Sequence, residues 1–115
     1  MVAVTVQAWF AAYLLTQAVE IPIYLVATRD RPWRARLMIA AAASTLTHPM
    51  VWFVIPSLGW PNYEAYFIGA ETFAVVIEAL LLWCLSVPRA LLWSVAANVG
   101  SVIIGLLLRA VFGWP

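Results

Sequence analysis

Glu20, His48, Glu78 and Asn98 each stand inside an otherwise apolar stretch of this chain, and Glu64 and Glu71 precede Glu78 at intervals of seven. Ionisable groups are costly in hydrocarbon, so those that persist there default to interior, paired and often functional positions. Carboxylates, an imidazole and an amide oxygen suit a divalent transition metal, because Glu and His are common ligands of zinc, iron and manganese. A divalent metal ion is therefore one cofactor this set would take, with Glu20, His48 and Glu78 as ligands. A proton relay is the second chemistry. Two carboxylates close together in a low dielectric titrate as a coupled pair and resist ionisation unless a cation compensates. A purely structural polar network is the third reading. No HExxH or CxxC motif occurs, and a site assembled from separate helices leaves no local signature.

Two prolines adjoin these groups. Pro22 follows Glu20 by two positions and Pro49 follows His48 directly. A proline inside a helix frees the carbonyl four residues earlier, here those of Ala18 and Thr45. Irregular backbone at membrane depth is tolerated where it faces protein or a wet cavity, so the kinks are expected to open a pocket and offer Ala18 and Thr45 as oxygen donors. The simpler alternative is that Ser44, Thr45 or a neighbouring helix satisfies the freed carbonyl. The seven-residue spacing of Glu64, Glu71 and Glu78 drifts only ~20° around a helix and steps ~10 Å along it. Glu64 and Glu71 thus form an expected access pathway toward Glu78.

The elements that must position these residues follow from composition. With 66% hydrophobic and 10% charged residues in 115 positions, the chain is too apolar for a small soluble domain. The predicted fold is an all-α integral membrane protein, a four-transmembrane-helix bundle of antiparallel up-down topology forming a single domain over residues 1–115. Spanning needs ~20 apolar residues, and four stretches qualify, at about 3–27, 37–55, 65–87 and 90–112. No positively charged region precedes the first, and Thr28-Arg29 follows where a small-residue cleavage site would be needed, so it is read as retained rather than as a signal peptide.

Depth is counted from the cytoplasmic helix ends at 1.5 Å per residue. It places Glu20 at ~12 Å, His48 at ~16 Å, and Glu78 and Asn98 at ~13 Å. Each helix thus contributes one strong polar group to a shared layer. Orientation follows from Arg29, Arg31, Arg34 and Arg36 in the first connection and Arg89 in the third, against no basic residue in the second. The positive-inside rule then makes loops 28–36 and 88–89 cytoplasmic and puts both termini on the other side of the inner (plasma) membrane. Trp33 and Trp93 at one edge, and Trp52, Trp60, Tyr63, Tyr66 and Trp114 at the other, suit interfacial anchoring. Pro56 and Pro61 are expected to end the second helix.

Small residues at Ala40–Ser44, Ala96-x-x-x-Gly100 and Ala97-x-x-x-Ser101 allow close helix approach, within the chain or between copies. In size, helix number and a first-helix glutamate the chain resembles the small multidrug resistance transporters. It lacks their glycine pattern in helices 3 and 4, and its histidine and two helix-3 glutamates are foreign to them, so no assignment follows. The lone Cys84 excludes an internal disulfide. A net charge of +1 without a basic cluster outside one loop gives no sign of nucleic-acid binding.

The function expected is cation binding or relay, of a proton or a divalent metal, in transport by a homo-oligomer or with a partner membrane subunit. A non-catalytic subunit or assembly factor of a larger membrane complex is the alternative. A membrane-embedded enzyme using a His–Glu general base, with Thr45 or Thr47 nearby, is the third.

Overall fold

The computed structural model describes residues 6–113. The expected start of the first helix at residue 3, and the anchoring residue Trp114, lie outside that range. Four helices follow in order: α1 Val6–Ala27, α2 Trp33–Pro49, α3 Tyr63–Cys84 and α4 Ala90–Phe112. All four are long and apolar enough to cross a membrane, α2 together with the irregular turns that extend it to Leu58. Leu14, Ile68, Ile103 and Leu106 turn outward and are exposed, the lipid-facing surface such helices need.

Helix ends differ from the sequence expectation for identifiable reasons. α2 starts at Trp33 rather than 37, so Arg34 and Arg36 lie on its first turn and not in the loop. Pro32 precedes it in extended conformation and its carbonyl accepts from the Arg36 amide at 3.0 Å. A proline loses no needed donor at that position. α3 starts at Tyr63 because Asn62 caps it, its Oδ1 accepting from the Ala65 amide at 2.8 Å. It stops at Cys84, three residues before the expected end, where Ser86 takes a left-handed backbone with φ 60°.

The end of the bundle holding the first and third connections is tied to helix C-termini. Arg36 donates to the Leu25 carbonyl of α1 through Nη2 at 2.7 Å and Nε at 3.2 Å, with its guanidinium 4.2 Å from the Trp33 ring centre. Arg31 donates through Nη2 to the Leu85 carbonyl just past α3. Cations at carbonyls left over by helix ends offset both unmet acceptors and the helix dipole.

α1 packs on α2 and on α4, and α3 packs on α2 and on α4, closing a ring of four. Small residues permit the approach: Ala40, Ala43 and Ala97 have no exposed surface, and Gly100 lies against Val19 and Ile23 of α1. Ala97 and Gly100 of α4 therefore serve packing inside the chain, while Ala96 is exposed.

At the opposite end α2 does not stop at Pro49. It loosens into a π turn, Met50–Val54, and a 3-10 turn, Ile55–Leu58, which Gly59 ends with φ 80°. The chain then folds back so that the Trp60 indole N–H donates to the Ile55 carbonyl at 2.6 Å and its ring covers Gly69 of α3, where an added methyl group would overlap it. Overpacking typically costs about 1–3 kcal/mol. Gly69→Ala should therefore lower the thermal midpoint of detergent-solubilised protein, and the loss should largely disappear in a Trp60→Ala background, a coupling that a double-mutant cycle reads directly.

Candidate functional site

Each helix turns a polar stripe inward. On α1 it is Gln17, Glu20 and Tyr24; on α2, Ser44, Thr47 and His48; on α3, Glu78; on α4, Ser94 and Asn98, all of them buried, with half-buried Ser101 one turn on. These spacings of three, four and seven return side chains to one helix face.

Two carboxyl groups from different helices meet at the centre. Glu20 and Glu78 are each 1% exposed, and their side chains adjoin at hydrogen-bonding range. Glu78 is richly supplied with donors. The Tyr24 hydroxyl donates to Oε1 at 2.6 Å, the Thr47 hydroxyl donates to Oε2 at 2.9 Å, and the Asn98 amide contacts it as well. Glu20 receives less: Ser101 donates to Oε2 at 2.8 Å, while Oε1 has no donor among the described residues. Asn98 is itself held by donation to the Ser94 carbonyl at 2.9 Å, and Ser94 donates to the Val75 carbonyl of α3 at 2.7 Å.

The pair forms the floor of a cavity of about 280 Å³ that runs toward the α2–α3 turn. Glu71 lines it above Glu78, and Arg109 lines it near the end of α4. Trp52, Tyr66 and Phe67 give it aromatic walls, with Tyr66 fixed by donation to the Val51 carbonyl at 2.9 Å. A second recess between α3 and α4 shares Phe67, Glu71, Asn98 and Val102 with it and reaches Thr72 and Val99 on the outer face.

His48 lines the same cavity but is not bonded to the carboxyl pair. Its ring sits among those of Trp9, Tyr13 and Trp52, with centres 5.6 to 6.0 Å away. The Trp9 backbone contacts it, and Nε2 is buried without a partner among the described residues. Of the sequence-predicted site, Glu20, Glu78 and Asn98 therefore come together, with His48 on the wall. Among the described residues no group of three or more His, Cys, Asp and Glu is placed to hold a metal ion.

Neither Ala18 and Pro22 nor Thr45 and Pro49 are among the residues lining the cavity. α1 runs unbroken across Pro22, and Ala18 and Pro22 are exposed. They share the face opposite the inward stripe, so the carbonyl four residues before Pro22 opens away from the cavity. Thr45 is likewise exposed. Its hydroxyl pairs with the Tyr13 hydroxyl and accepts from Gln17 Nε2, each at 2.9 Å, and it takes no part in the cavity lining. Pro49 instead marks where α2 passes into the π turn. The acidic ladder also shortens, since Glu71 lies on the cavity while Glu64 is exposed at the start of α3 and outside the lining.

Sequence reasoning missed Tyr24 and Gln17. Gln17 bridges α1 to α2, accepting from Ser44 at 2.9 Å and donating to Thr45. The signal available was spacing, since Gln17 and Tyr24 flank Glu20 at three and four residues on one face.

Comparison of the chain with protein-family models, with curated proteins and with solved structures finds no match in any of the three.

Removing one donor from a buried carboxylate costs about 1.5–3 kcal/mol. Tyr24→Phe and Thr47→Val should each destabilise the bundle by that order. Because both act on Glu78, the double variant should depart from additivity by about 0.5 kcal/mol or more, measured as unfolding free energies in mixed micelles.

Proposed function

We propose that this protein binds and relays a proton at the Glu20–Glu78 pair and does so in transport across the membrane. The observation that carries the reading is the meeting of two buried carboxyl groups with no arginine or histidine bonded to either among the described residues. Two like charges cannot both be held in so dry a place without a compensating cation. A proton shared between the two oxygens supplies that compensation within the geometry present.

Glu71 on the cavity wall provides an intermediate carboxyl between the pair and the α2–α3 end. A metal-ion version of the same function would need ligands beyond the pair, and His48, the natural third, is turned into an aromatic cluster. The arginine distribution supports an inner-membrane protein with antiparallel helices, loops 28–36 and 88–89 on the cytoplasmic side and the cavity facing the other.

Reconstituted into vesicles with an internal pH dye, the wild type should pass protons under an imposed pH gradient. Glu20→Gln and Glu78→Gln should reduce the flux to that of protein-free vesicles, while Glu71→Gln slows it. Intact folding with unchanged flux in both pair variants would overturn the relay and favour the reading as a structural subunit. Sidedness is checked separately: in a Cys84→Ser background, a cysteine replacing Gly59 should react with an impermeant maleimide added to spheroplasts, and one replacing Asp30 should react only after permeabilisation.

A further inference from the structure

The two ends of the bundle carry very different charge. Arg29, Arg31, Arg34, Arg36 and Arg89 fall at the end holding the first and third connections, with Asp30 as the single acid there, whereas the other end sets Glu64 against Arg109. Arginine keeps its charge at every working pH, so the first end holds a permanent positive excess.

Two of those five arginines are spent on the fold. Arg31 donates to the Leu85 carbonyl and Arg36 to that of Leu25. Arg29, Arg34 and Arg89 are exposed and left to meet what lies outside the chain. The Arg31–Leu85 contact gathers them, because it ties the first connection to the third. Arg29 stands two residues before Arg31 and Arg34 three after it, and Arg89 stands four after Leu85, each within ~14 Å of chain from that contact. Like charges collected in this way repel one another unless an anion lies among them.

The surroundings fit a lipid rather than a soluble anion. Trp33 and Trp83 are 61% and 70% exposed, indoles of the kind that settle at the headgroup layer. Directly after Arg89, Leu91 and Leu92 are exposed on the first turns of α4, an apolar surface beside the charged one.

We infer that this end of the bundle binds the headgroups of anionic phospholipids. Phosphate oxygens accept from the guanidinium groups of Arg29, Arg34 and Arg89, whose planar forks suit that geometry, and the acyl chains lie against Leu91 and Leu92. Arg31 and Arg36 hold the two connections in place, so the site is formed before the lipid arrives. This inference goes beyond the relay and does not depend on it.

The test titrates the full chain in a neutral maltoside detergent with three probes, read by thermophoresis. They are dioctanoyl phosphatidylglycerol; dioctanoyl phosphatidylcholine, with the same chains and a zwitterionic head; and glycerol phosphate, the anion without chains. Phosphatidylglycerol should bind about tenfold or more tightly than phosphatidylcholine at low salt. That preference should collapse in 1 M salt, where the screening length falls to ~3 Å. Arg29→Gln, Arg34→Gln and Arg89→Gln should each weaken phosphatidylglycerol binding about fivefold, the equivalent of ~1 kcal/mol per arginine near a membrane surface, and leave phosphatidylcholine binding unchanged. Arg109→Gln, at the other end, should alter neither.

Equal affinity of the wild type for the two lipids overturns the inference. So does a preference that survives 1 M salt, or one that Arg109→Gln lowers as much as the other three variants do. Displacement of phosphatidylglycerol by an equal concentration of glycerol phosphate would mark a site for soluble phosphate and overturn the lipid assignment. The wild-type comparisons decide even where a variant fails to fold, and none of these outcomes bears on the carboxyl pair.

Discussion

The burial of Glu20 against Glu78 constrains everything else in this bundle. Each group is 1% exposed, and leaving a charged group so buried unmatched costs several kcal/mol. The helices are therefore rotated so that every one of them answers the pair. α1 supplies Glu20 and Tyr24, α2 supplies Thr47, α3 supplies Glu78, and α4 supplies Ser101 and Asn98. Turning any helix by one residue, about 100°, would carry its contribution into lipid. Apolar packing alone does not have that authority here, because hydrocarbon outside the bundle is as hospitable to Leu and Ile as the bundle interior.

The two ends of the molecule divide the labour. At one, Arg31 and Arg36 clamp the carbonyls that follow α3 and α1, and Tyr24, Leu82, Ala40 and Ala43 pack with no exposed surface. At the other, α2 gives up its regular hydrogen bonding after Pro49, and the widened π turn leaves room beside His48 and Trp52 for the cavity. π turns of this kind recur at functional sites. A closed base and an open top follow from where the arginines and the proline fall.

Depth was legible in the sequence and rotation was only partly so. Counting from helix ends placed Glu20, Glu78 and Asn98 in one layer, because rise per residue is nearly constant whatever surrounds a helix. Which face each residue occupies depends on neighbours, and counting along the chain does not give it. Ala18 and Thr45 were expected in the cavity on account of the prolines after them, yet the inward faces are set by Gln17, Glu20 and Tyr24 on α1 and by Ser44, Thr47 and His48 on α2. Tyr24 has no charge to set it apart in an apolar stretch, and its position four after Glu20 on the same face was the informative fact. Asn62 escaped for a different reason: a capping side chain is a local signal that an apolar-window reading of helix ends ignores.

The unequal supply of donors bears on which carboxyl group moves its proton. Glu78 is held by Tyr24, Thr47 and Asn98, three groups on three helices, so freeing it would disturb the whole bundle. Among the described residues Ser101 is the one hydroxyl that donates to Glu20, and that hydroxyl has a second acceptor within reach, the Asn98 carbonyl at 3.0 Å. A serine hydroxyl has one proton to donate, and rotating it from Glu20 to its own helix costs little backbone or side-chain rearrangement. On the relay reading, Glu78 is then the fixed partner and Glu20 the exchanging one, with the switch between them being a single hydroxyl rotor on α4.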